Sequence, residues 1–317
     1  MSLIERAADL LGSTPPAQQK PAGAGEGADA PDLGLIERAG RSKSERPSVP
    51  VAQARETVSR ETSSIDAGRV SRTLKVNLDK LREQRVITPD EERTPIAENF
   101  RRIKRHILAN VANPKAARGT NLIMITSPLP GEGKSFCTLN LAISLAMEMD
   151  RTVLLVDADV AKPSITSMLG IKAKAEAEQG LMDILLDRKI SLADALCKTD
   201  IGKLTVLPAG TPHARATEAL ASERMRRLLQ EMAERYSDRI IIFDSPPLLA
   251  ASEACVLASE MGQVLLVVEA GKTTETALKD ALGRIESSNV VGVMLNKGAP
   301  PGAGYYGGYG YGYGYGS

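Results

Sequence analysis

The chain has 317 residues, 43% of them hydrophobic, and a formal net charge of +1. That is material for one large core or two small ones, and it excludes the strong basic field by which a protein captures nucleic acid. No run approaches the roughly 18 apolar residues of a membrane span, and MSLIERAADLLG lacks the cationic start and apolar run of a signal peptide.

Residues 1–88 read as a largely disordered N-terminal region, because STPPAQQKPAGAGEGADAPDLG buries too little apolar surface to offset its ordering entropy. LIERA occurs twice there, at Leu3–Ala7 and Leu35–Ala39, and each copy could start a short amphipathic docking helix; chance repetition in an Ala/Glu/Arg-rich stretch is the plainer account. In LKVNLDKLREQRV, Leu74, Leu78 and Leu81 fall at helical spacing, which predicts a helix packed on the domain that follows.

Residues 89–297 read as one α/β domain. NLIMIT (121–126), TVLLVD (152–157), KLTVLP (203–208), RIIIFD (239–244), QVLLVV (263–268) and VVGVML (290–295) are short β-branched runs. Helical patterns lie between them, at Ser135–Met149, Thr217–Tyr236 and Thr274–Ser287. Continuous apolar strands alternating with helices predict a mostly parallel sheet covered on both faces, a three-layer sandwich of the P-loop NTPase kind. Cys137, Cys197 and Cys255 are far apart, without ligand or redox spacing, and read as free thiols of a reducing compartment.

The first long strand runs into SPLPGEGKS and then a helix, the setting a P-loop requires. Gly131 and Gly133 let backbone N–H groups turn inward, and the helix start adds partial positive charge, so Pro130–Phe136 is the candidate nucleotide-binding loop. Lys134 would reach the β- and γ-phosphates of ATP, and the Ser135 hydroxyl would ligate Mg²⁺. Pro128 stands where the first Gly of the pattern is usual. Two later strands end in acids. VLLVDAD places Asp157 and Asp159 on one side of its strand end, suited to metal and proton handling, although either could instead cap the helix near Ser164. IIIFDSPP places Asp244 where an acid holds Mg²⁺ directly or through water.

Residues 298–317 carry no charge and hold six of the seven tyrosines of the chain, Tyr305, Tyr306, Tyr309, Tyr311, Tyr313 and Tyr315. Such a Gly/Tyr segment is a flexible tail on composition, and without other information it reads equally as a sticky low-complexity end.

SPLPGEGKS, VLLVDAD, IIIFDSPP and the terminal tyrosines together resemble bacterial P-loop protein-tyrosine kinases (BY-kinases), the polysaccharide co-polymerase autokinases, and are most similar to the exosortase-associated tyrosine autokinase branch. The resemblance spans about residues 75–317. It implies a tyrosine autokinase that acts in exopolysaccharide biosynthesis and export, with ATP and Mg²⁺ as cofactors. It implies that Asp157 accepts the tyrosine proton and that Asp159 and Asp244 organise Mg²⁺ with Ser135, while Lys134 binds phosphate. The six tail tyrosines would be phosphoacceptors, delivered in trans, since twenty extended residues reach roughly 60 Å. The family also builds a ring through a Glu-x-x-Arg-x-x-Arg helix. Here Glu98, Arg101 and Lys104 hold those places, and Lys lacks the forked guanidinium of the last Arg. Further implied partners are a membrane chain-length-determinant activator, which would recruit a cytoplasmic kinase to the inner membrane face, and a phosphotyrosine phosphatase. Two other functions fit a P-loop: a partitioning or positioning ATPase, whose loop carries a second lysine where this chain has Leu129, and a non-catalytic nucleotide-dependent assembly protein.

Overall fold

The computed structural model describes residues 72–90, 94–113, 119–171, 179–236, 238–286, 288 and 291–298. The LIERA copies and the tail tyrosines lie outside the described residues.

An eight-stranded sheet organises the domain in the order β1-β4-β5-β3-β6-β2-β7-β8. The strands are β1 Arg72–Leu74, β2 Leu122–Thr126, β3 Thr152–Asp157, β4 Cys197–Thr199, β5 Leu204–Leu207, β6 Arg239–Asp244, β7 Gln263–Glu269 and β8 Val291–Asn296. All neighbours are parallel except β4 and β5. The middle strands β2, β3 and β6 are buried almost end to end, as their unbroken apolar runs require. Each large aliphatic side chain buried here contributes on the order of 1.5–3 kcal/mol. The carboxyl ends of β2, β3 and β6 open together, and parallel sheets bind ligands at such a crevice.

The helices are α1 Leu78–Glu83, α2 Pro95–Val111, α3 Lys134–Ala146, α4 Ile165–Met168, α5 Leu181–Leu186, α6 Leu192–Ala195, α7 Ala216–Leu220, α8 Glu223–Arg235, α9 Ser252–Ser259 and α10 Glu275–Arg284. Helix α3 follows β2 and is buried along nearly its whole length. Helix α2 starts cleanly: Thr94 accepts from the Ala97 amide at 3.1 Å, and Pro95 occupies the first turn, where its missing N–H costs nothing.

Three expectations are corrected here. The boundary at residue 89 falls inside the packed unit, which begins near residue 71. Leu81 is fully buried, Val86 and Ile87 are core residues, and the Ile87 amide donates to Asn140 Oδ1 at 2.8 Å. In the same segment Leu74 belongs to β1 rather than to a helix, because Asn77 caps α1 by accepting from the Lys80 amide at 3.0 Å. The helix expected over Thr217–Tyr236 is two helices: Ser222 accepts from the Met225 amide at 3.2 Å and starts α8 afresh.

Candidate active site

The loop between β2 and α3 is shaped by two glycines with left-handed backbone, Gly131 at φ 86° and Gly133 at φ 92°. A Cβ at Gly133 would collide with the amide nitrogen of Asn296, which donates to the Glu132 carbonyl at 2.8 Å. Glu132 holds the loop from inside. Its carboxylate is buried, accepts from the Leu129 amide at 2.8 Å and also accepts the Thr273 hydroxyl hydrogen bond. Lys297 ties the outer side, donating to the Gly131 carbonyl at 2.7 Å and pairing with Glu269 at 3.1 Å. The ends of β7 and β8 thus strap the loop from one flank.

The Glu132 carboxylate therefore faces the fold, and only its backbone remains for a ligand. Glu132→Ala removes the acceptor of the part-buried Leu129 amide and of the Thr273 hydroxyl, at about 1 kcal/mol for each hydrogen bond lost. ATP affinity is expected to fall by roughly tenfold, read by calorimetric titration.

Lys134 lies among the strand-end acids. Its ammonium is 2.7 Å from Asp159 Oδ2 and 3.8 Å from Asp244 Oδ2, and 3.3 Å from the Ser135 hydroxyl. Burial alone would pull this ammonium down. Asp244 and Asp159 outweigh it, and the net shift is upward, so Lys134 stays charged. Ser135 donates to Asp244 Oδ2 at 2.6 Å, and Thr138 lies 3.1 Å from Asp244 Oδ1. Burial raises the Asp244 carboxyl, opposed by Lys134, Ser135 and Thr138. Asp159 Oδ1 accepts from the Lys162 amide at 3.2 Å.

Asp157 combines the two sequence readings in one side chain. Its Oδ2 accepts from the amides of Ser164 and Ile165, each at 3.0 Å, which caps the entry to α4. Its Oδ1 is buried with no hydrogen-bond partner. Burial first, then the neighbouring Asp244 charge, pushes its carboxyl up to about 7. Asp157 and Asp244 are register partners on β3 and β6, which explains the coupling.

Lys134, Ser135, Asp157, Asp159 and Asp244 thus lie together at the strand ends. A lysine ammonium held among two carboxylates and a hydroxyl marks an oxygen-rich place for a hard cation. Magnesium takes few protein oxygens and completes its shell with phosphate and water. Ser135, Asp159 and Asp244 fit that pattern; among the described residues no larger His/Cys/Asp/Glu cluster forms a metal cage. Thr138, Thr273, Asn296 and Lys297 were not singled out from sequence. Thr138 alone carried a signal, one helical turn beyond Lys134 on the same face.

The Glu98–Arg101–Lys104 series divides. Glu98 accepts a hydrogen bond from Arg101 on the same helix, and both side chains are partly exposed. Lys104 is buried: it donates to the Ser144 carbonyl at 2.9 Å and pairs with Glu148 at 2.6 Å, joining α2 to α3. Its ammonium is spent inside the subunit, so Lys104 is corrected from an interface to an internal residue. Arg102 and Arg105 carry the exposed positive charge of α2.

The family model described as an AAA domain matches residues 120–289. Tyrosine-protein kinase YwqD of Bacillus subtilis (strain 168) is 31% identical over 239 residues, covering 74% of this chain and 96% of the relative. Tyrosine-protein kinase ptk of Acinetobacter johnsonii is 33% identical over 187 residues, 58% of this chain but 24% of that longer protein. The kinase domain of Escherichia coli tyrosine kinase ETK superposes with a TM-score of 0.60 at 27% identity, over 77% of this chain and 94% of that one.

Proposed function

The chain belongs to the family of bacterial P-loop tyrosine kinases and is a protein-tyrosine kinase; from that premise we propose that it transfers the γ-phosphoryl group of ATP to the tyrosines of its own C-terminal cluster, in trans between subunits. The observation that carries the reading is the Lys134 ammonium clasped between Asp159 and Asp244 beside Ser135.

In this reading the backbone amides of Gly131–Phe136 cradle the phosphates. Lys134 turns from the carboxylates to the β- and γ-phosphate oxygens. Ser135, Asp159 and Asp244 would hold Mg²⁺, which when bound neutralises charge across those phosphates. Asp157 Oδ1 takes the phenol proton. A carboxylate near pH 7 suits that task, because the base must be ionised yet still attract a proton. The phenolic oxygen then bonds to the γ-phosphorus as the bond to ADP breaks. Asp157 has no exposed surface in the present state, so the phenol meets it only once the site opens.

Tyr305, Tyr306, Tyr309, Tyr311, Tyr313 and Tyr315 are the acceptors in this proposal. Gly spacing lets each ring enter a narrow cleft alone. We place the kinase on the exosortase-associated branch, in exopolysaccharide export, on the strength of its motifs and Tyr-rich end. The subunits form a ring through Glu98 and Arg101, with Arg105 supplying the charge that Lys104 does not. A membrane chain-length-determinant protein recruits and activates it, and a phosphotyrosine phosphatase resets it. Among the described residues no helix is long and apolar enough to cross a membrane.

Intact-protein mass spectrometry after incubation with ATP and Mg²⁺ tests the assignment. Wild type is expected to gain phosphates confined to residues 305–315, and Lys134→Met none. Labelling of Lys134→Met, or phosphate confined to other residues, would overturn it.

A further inference from the structure

One surface feature extends beyond the catalytic reading, sharing only the edge of the phosphate loop, at Gly133 and Phe136. A groove of about 1110 Å³ runs between α2 and the β7–β8 side of the sheet. Its floor and wall are apolar: Ile96, Phe100 and Ile103 from α2, and Leu265, Gly292 and Met294 from the strands. Arg85, Arg102 and Lys297 also line it, and no Asp or Glu does. Lys297 is engaged with Gly131 and Glu269, whereas Arg102 has a distant 3.8 Å pairing with Glu98 and a side chain 72% exposed. Gln84, also on the lining, has a sequestered Oε1 with no donor.

Strand β8 ends the sheet, so its outer edge is unpaired among the described residues. Gly298 lines the groove, and residues 299–317 continue directly from it. Within them Tyr309, Tyr311, Tyr313 and Tyr315 alternate strictly with glycine. In an extended chain that alternation sets four rings on one side, about 7 Å apart. An extended segment with aromatic rings on one face suits an exposed strand edge beside an apolar trough.

Charge decides which form of the segment fits. The unmodified tail has no charged side chain and gains only weak cation–π contacts from the arginines. Each phosphate adds about −1.5 to −2 charges and three strong acceptors, which guanidinium groups bind in a forked geometry. We propose that this groove is the docking site for the phosphorylated form of the chain's own Gly/Tyr terminus, with rings on the apolar floor and phosphates at Arg85 and Arg102. The proposal rests on the tail being the kinase substrate and assigns where the product goes. Docked there, a finished tail is withdrawn from neighbouring active sites.

The test uses the full chain with its six tail tyrosines changed to Phe, so that no endogenous phosphotyrosine competes. A labelled peptide of residues 308–317, phosphorylated at Tyr309, Tyr311, Tyr313 and Tyr315, is titrated by fluorescence anisotropy against its unphosphorylated twin. The phosphopeptide is expected to bind at least tenfold tighter, and Arg85→Gln with Arg102→Gln to remove at least tenfold of that affinity. Equal affinity for the two peptides overturns the proposal, as does indifference to the two arginines. So does equal binding of a phosphoserine version, which would reduce the site to charge alone. Displacement by saturating ATP would give the groove to the nucleotide, and binding lost only on oligomerisation would give it to a second copy; either result overturns the assignment. The peptide carries its phosphates whether or not the protein can add them, so failure here is separable from failure of the kinase reading.

Discussion

Asp157→Asn is expected to slow tail phosphorylation by roughly 10²–10⁴-fold, the usual worth of a positioned proton acceptor, while making the nucleotide-free protein more heat-stable at pH 8. Both effects come from one carboxylate. Asn keeps the side-chain oxygen that accepts from Ser164 and Ile165, so the cap on α4 survives. It cannot take up a proton. The sign of the stability effect follows from linkage. The Asp157 carboxyl titrates near 7 in the folded chain against 3.8 for an ordinary Asp. Between those values the folded state holds a proton that the unfolded state has released. The contribution of this group is therefore greatest at low pH and is lost as pH rises from about 4 to 7. Asn does not titrate and abolishes that loss. Melting curves from pH 4 to 8 should converge at the acid end and separate at the alkaline end, with the variant above. An unchanged phosphorylation rate would remove Asp157 from the proton transfer, and parallel melting curves would remove the buried-charge account.

Gly133→Ala is expected to weaken ATP binding by more than about 100-fold and to lower the melting temperature by roughly 2–10 °C. The backbone at Gly133 is left-handed, which costs a residue with a Cβ about 1–2 kcal/mol. The added Cβ also meets the Asn296 amide, so the strap from β8 to the Glu132 carbonyl must move. A destabilisation of about 1–3 kcal/mol corresponds to a few degrees per kcal/mol in a domain of this size. Combining Gly133→Ala with Asn296→Ala separates the two terms. The double variant should recover part of the stability, because the collision is gone, without recovering ATP affinity, because the loop has lost its anchor. Wild-type affinity in Gly133→Ala would show that the loop tolerates side chains and that the strap is incidental.

The sheet was legible where strands are buried on both faces. β3 and β6 occupy the spans read from TVLLVD and RIIIFD, because a central parallel strand must be apolar throughout. β1 and β4 were not, since three residues cannot establish a period. The break at Ser222 was hidden because α7 and α8 continue one amphipathic pattern; the cap at Ser222 separates them. In the site, the acids at strand ends and the glycine-flanked lysine announce themselves by position. Glu132 did not reveal that its carboxylate faces inward, because the partners are Leu129 next door and Thr273 some 140 residues on. Lys104 looked like a surface cation for a related reason. Its long stem crosses to the end of α3, where the Ser144 carbonyl and Glu148 await it, and nothing in AENFRRIKR encodes that neighbour.

The clamp of Lys297 on Gly131 makes the root of the tyrosine segment a fixed post beside the phosphate loop. If the tail tyrosines are the acceptors proposed above, the reach of each is counted in residues from that post, and Tyr305 has the shortest leash. Each residue deleted between Gly298 and Tyr305 shortens the leash by about 3.3 Å, so the order in which tyrosines are modified should read as a ruler for the gap between one post and the next mouth.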